Sequence, residues 1–99
     1  MDAYPAMEVF PESAALSISD DVVACDLDDS VAVLNQATGT FYTLEDVGKF
    51  IWQQLGQPIT IGGLTDAVIS AYDCNRTVAA SDIQTLVQDL RNAQLIEVR

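Results

Sequence analysis

Between Ser30 and Leu90 the apolar residues pass from short near-continuous runs, Val31 to Leu34 and Phe41 to Leu44, to spacings of three and four. That switch commits the chain to strands first and helices afterwards. Ser30 to Asn35 reads as a strand, Gln36-Ala37-Thr38-Gly39 as a hairpin connection with Gly39 free to take a positive φ, and Thr40 to Leu44 as the partner strand. Upstream, Asp21 to Asp26 is apolar and β-branched enough for a strand, with Asp28-Asp29 as the turn that follows it. Leu16 and Ile18 alternate with serines and permit one more short strand.

The helical part comes in three pieces. Thr43 followed by Asp46 has the form of a capping box, and Val47, Phe50, Ile51 and Leu55 give the first helix its stripe before Gly56 and Pro58 end it. Thr60 is the expected N-cap of a second helix striped by Leu64, Ala67, Val68, Ala71 and Tyr72, broken at Asp73-Cys74-Asn75-Arg76. Thr77 is the expected cap of a third, with Ile83, Leu86, Val87 and Leu90 inward. Leu95 to Val98 is extended and pins the C-terminus to the sheet. Trp52 and Tyr72 are read as packing residues, since they sit on helices beside other core positions.

The expected sheet is apolar on both faces. Val31 and Val33 point one way, Ala32 and Leu34 the other, and Phe41 opposes Tyr42 and Leu44. A three-stranded antiparallel sheet packs only one face on helices, so something else covers the second. The N-terminal arm, residues 1–15, with Pro5 and Pro11 and no regular period, is the preferred cover, attached through Val9 and Phe10; a ligand is the alternative. Residues 16–99 then make one folded domain, since 99 residues at 49% apolar close one core.

Fifteen acids against four bases give a net charge of −11. Such a surface repels a phosphate backbone, whose affinity for proteins rests on Lys and Arg displacing counterions, and an anionic membrane likewise. Basic peptides or basic protein surfaces are attracted; solubility alone is the plainer use of the acids. No apolar run nears the roughly 20 residues a span needs. No signal-peptide pattern is seen in the first residues, so the expectation is a cytoplasmic protein with Cys25 and Cys74 reduced.

Equipment for catalysis is missing. There is no His for general acid–base work or to activate Cys25, and two distant cysteines cannot make a metal site. The carboxylates cluster in turns, at Asp20-Asp21, Asp28-Asp29 and Glu45-Asp46, where solvation explains them. Gly62-Gly63 is too short to cradle phosphate. The expectation is a protein that is not an enzyme and carries no cofactor.

The series VAVLNQATGTFYTLEDVGKFIW, TIGGLTDAVISAY and SDIQTLVQDLRNAQLI resembles the PqqD-like family, the recognition elements that bind leader peptides of ribosomally made precursors. It is most similar to the stand-alone leader-binding proteins of lasso-peptide pathways. Gln36-Ala37 and Tyr42-Thr43-Leu44 stand where members from the PQQ pathway tend to carry Pro-Glu and Leu-Asn, which favours the lasso branch. The resemblance implies an α+β, winged-helix-like body, a three-stranded antiparallel sheet followed by three helices. It also implies a leader docked as an extra strand in the groove between the third strand and third helix. An unpaired edge supports that mode physically, because backbone donors and acceptors there accept any extended chain.

The peptide-binding set so implied is Val33, Thr40, Phe41, Tyr42, Thr43, Val78, Asp82, Ile83, Thr85, Leu86 and Asp89. Thr40 to Thr43 supply the ladder. Leu86 and Val78 seat an aromatic and a proline of the leader, and Asp82 and Asp89 its basic residues. The partners implied are the leader itself and a cysteine-type maturation peptidase, with the ring-closing cyclase as a further candidate. The rival readings are a PQQ-pathway peptide chaperone, an acidic partner of a basic protein, and a winged-helix DNA-binding protein, the last opposed by the charge.

Overall fold

A computed structural model describes residues 9–99, and their order is β1 (Ala15–Ile18), β2 (Val22–Asp26), β3 (Ser30–Asn35), β4 (Phe41–Glu45), α1 (Val47–Gln54), β5 (Ile59–Thr60), α2 (Ile61–Tyr72), α3 (Arg76–Asn92) and β6 (Ile96–Val98). The fold is mixed α and β, with six strands in two antiparallel sheets and three helices.

The main sheet has the order β2-β3-β4, with Val23 opposite Leu34 and Leu34 opposite Phe41. Gly39, at φ 78, closes the hairpin between β3 and β4 as expected. Asn35 organises that hairpin. Its Oδ1 accepts from the N–H groups of Ala37 (2.9 Å) and Thr38 (3.1 Å), while its Nδ2 donates to the Gln94 carbonyl (2.6 Å). A buried amide left unpaired would cost about 1–3 kcal/mol; here the same groups join the hairpin to the turn after α3. The β2–β3 turn is held from α1, where Lys49 Nζ reaches Asp26 (2.9 Å) and the Asp28 carbonyl.

The second sheet was not foreseen as a sheet. β1 lies between β5 and β6, pairing Ala15 with Thr60 and Ser17 with Glu97. The C-terminal strand is therefore pinned to β1 and not to the main sheet. β1 pairs with β5 at two positions and with β6 at three, too few for periodicity to announce.

Two helix starts differ from expectation. Thr43 does not cap α1: it lies inside β4, and the N-cap is Asp46, at φ 51 and without a side-chain bond. Pairing of β4 runs on to Glu45 opposite Ser30, so the ladder takes the residues a capping box would need. The third helix starts earlier than Thr77, with Asn75 as cap, its Oδ1 accepting from Thr77 N–H (2.7 Å) and Val78 N–H (3.4 Å). Thr60 does cap α2, accepting from Gly63 N–H (3.1 Å).

The core joins Val31, Val33 and Leu44 of the main sheet to Ile51 and Leu55, Leu64 and Val68, and Ile83, Val87 and Leu90, with Leu16 and Ile96 from the second sheet. Trp52 is buried in it. Ala71 and Tyr72, expected inward on α2, are exposed at its last turn, where Tyr72 packs edge-on against Phe50 with centroids 5.4 Å apart.

Candidate functional site

The family resemblance implies a binding surface where β4 meets α3, and the structure describes both walls. In an antiparallel ladder alternate residues turn both backbone groups toward the same neighbour. Asn35 N–H donates to the Thr40 carbonyl (2.9 Å), so Thr40, Tyr42 and Leu44 bond to β3. Phe41, Thr43 and Glu45 then turn their N–H and C=O groups outward, and among the described residues no further strand follows β4 in the sheet.

At about 100° per residue, Val78, Asp82, Thr85, Leu86 and Asp89 fall within about 100° of arc on α3. Val78, Asp82, Thr85 and Asp89 are exposed and Leu86 half-buried, so this flank is an apolar floor with two carboxylates on it. Tyr42 joins the walls. Its side chain points to the helix side of the sheet, and its hydroxyl is held above the ordinary tyrosine pKa, first by burial, then by the charge of Asp89 and a hydrogen bond to it.

Not every expected residue reaches this surface. Val33 and Ile83 are wholly buried and offer no area to a ligand; they carry the floor from beneath. Phe41 and Thr43 share the edge through their backbone, but their side chains lie on the opposite sheet face, beside Leu34 and Ala32.

That outer face is apolar, as the alternation foretold. Val23, Leu34 and Phe41 line up across the three strands, with Cys25 and Ala32 in the next row, and Phe41 is 62% exposed. The arm does not cover it with any described residue. Phe10 instead docks on α3, its N–H donating to Gln84 Oε1 (2.9 Å) and its C=O accepting from Gln84 Nε2 (2.8 Å), with the Arg91 guanidinium 5.6 Å from its ring centroid. Val9, the other expected anchor, is exposed, and Met1 to Glu8 lie outside the described residues. Gln84 and Arg91 lie on the flank of α3 opposite Asp82 and Asp89. The described arm thus leaves the β4 side of the helix open.

Sequence reasoning missed Glu45 as an edge residue and the Phe10–Gln84 clip. The first had a signal in the alternation Phe41-Thr43-Glu45; the second, 74 residues apart, had none. Among the described residues no cluster of His, Cys, Asp or Glu could hold a metal, and no helix is long and apolar enough to cross a membrane.

Residues 30–96 match the family model described as coenzyme PQQ synthesis protein D (PqqD). Among solved structures, TbiB1 in complex with the TbiA(beta) leader peptide is 34% identical with a TM-score of 0.75, over 82% of this chain and 94% of that one. A lasso peptide synthetase B1 complexed with the leader peptide shares the fold at 23% identity and TM-score 0.70, over 83% and 96%. Among curated proteins no sequence matches.

Proposed function

The chain belongs to the PqqD family, and from that premise we propose that it captures the leader segment of a ribosomally made precursor peptide, of the lasso type, as a fourth strand on the free edge of β4. One observation carries the reading: the edge of β4, unpaired among the described residues, stands beside the acidic flank of α3, while the described arm is clipped to the opposite flank. The relative with 34% identity was solved with a leader peptide bound, which supports the same class of ligand here.

In this reading the chain performs no chemistry. The outward N–H and C=O groups of Phe41 and Thr43 bond to the leader backbone whatever its sequence. Discrimination comes from side chains. Leu86 and Val78 take apolar leader residues, while Asp82 and Asp89 attract basic ones. The captured precursor is passed to a separate cysteine-type maturation peptidase in the cytoplasm, and then to the ring-closing cyclase. Holding the leader raises the effective concentration of the cleavage site at that peptidase, to the millimolar range that short tethers give.

Isothermal titration with leader peptides encoded beside the gene tests the proposal, with dissociation constants expected between micromolar and nanomolar, about −8 to −12 kcal/mol. Leu86→Arg is expected to abolish capture, because it sets a long charged side chain on the apolar floor, while circular dichroism shows the fold retained. Full affinity in that folded variant would remove the β4–α3 groove as the site.

A further inference from the structure

We infer that the strand added at β4 is read on both faces of the sheet, with the row Phe41-Thr43-Glu45 selecting every second side chain of the ligand from the side away from α3. This rests on strand addition at β4 and specifies what the added strand must be. Side chains of neighbouring strands stand on the same face when directly opposite, about 4.5–5.5 Å apart at Cβ. Ligand residues opposite Tyr42 and Leu44 therefore turn toward α3, where Leu86, Asp82 and Asp89 lie. Residues opposite Phe41, Thr43 and Glu45 turn to the outer face.

That outer face is not blank. The stripe Val23–Leu34–Phe41 crosses all three strands in register and stops at the β4 edge with Phe41 62% exposed. A bulky apolar residue opposite Phe41 continues the stripe by one strand and covers its last member. At the other end of the row, Glu45 is exposed and has no ion-pair partner among the described residues. A base opposite Glu45 gains a cross-strand charge pair, and an acid there is repelled. Thr43, between them, favours a β-branched or small polar neighbour. With an antiparallel ligand, which continues the pairing of the whole sheet, the sequence required is base-x-Thr/Val-x-apolar from N- to C-terminus. A ligand with these residues at odd spacing loses one face or the other, since a slip of one position exchanges them.

Selection of random dodecapeptides displayed on phage against the full chain at low salt tests this. Captured peptides are expected to carry Lys or Arg four residues ahead of a bulky apolar residue. Selection on Glu45→Lys is expected to replace that base by Asp or Glu at the same spacing. In fluorescence polarisation, Phe41→Ser should weaken a selected peptide by about threefold to fivefold, and weaken much less the same peptide with Ser opposite position 41. Both substitutions fall on exposed side chains, and circular dichroism checks their fold. Capture without the four-residue spacing, or with no change of charge on Glu45→Lys, overturns the two-faced reading and leaves strand addition standing. Capture of no extended peptide at all overturns strand addition, and this inference with it.

Discussion

Tyr42 is the residue in which the sheet and helix walls of the groove meet. Burial, and after it the Asp89 carboxylate, favour its neutral phenol, so its pKa in the fold exceeds the unfolded value near 10. The sign follows from linkage: the stability Tyr42 contributes is complete below about pH 10 and is lost as pH rises through the higher folded pKa. Difference absorbance titration of the wild type against Tyr42→Phe is expected to show one tyrosine ionising late, and Asp89→Asn should bring that titration down. A tyrosine 42 that titrates normally would separate it from Asp89. Residue identity at this site was partly legible. Tyr42, Leu86 and Asp89 are named through the family resemblance, with helical spacing placing Leu86 and Asp89 on one flank of α3; Ile83, expected inward from its spacing, is buried as is Val33, so neither offers a surface to a ligand.

β4 is an edge, and proline tests which of its residues face outward. Thr43 N–H points away from β3, so Thr43→Pro removes no ladder bond within the sheet and is tolerated as prolines are on edge strands. Its melting temperature should stay close to the wild type, while peptide affinity falls about tenfold, the weight of one backbone hydrogen bond. Tyr42→Pro removes a bond to β3 and should unfold the hairpin. Equal damage from the two substitutions would mean the alternation is misassigned. At the start of α3, Asn75→Ala is expected to cost about 1 kcal/mol in urea denaturation and Thr77→Ala a few tenths. Thr77 and Thr43 misled the sequence reading for one reason: both have capping chemistry, and each is outbid by a neighbour, Asn75 in one case and the β3–β4 ladder in the other.

Across the whole molecule, Phe10 ties the first described residues to the flank of α3 opposite Asp82 and Asp89. It is 7% exposed, and Phe10→Ala should cost about 3 kcal/mol by chemical denaturation. The net charge of −11 should make capture of basic peptides weaken as salt rises, mainly through a slower association rate. A salt-independent association rate would assign the acids to solubility alone. By itself the sequence determined the three main strands, the three helices, the positive φ at Gly39 and the apolar outer face, because each is written in spacings of two or of three to four residues within one segment. Only the tertiary structure decided the second sheet, the side of α3 on which Phe10 docks and the tie between the β3–β4 hairpin and the turn after α3. Those depend on pairings between Leu16 and Val98, Phe10 and Gln84, and Asn35 and Gln94, residues 82, 74 and 59 positions apart, and no local pattern records which distant partner a short segment will find.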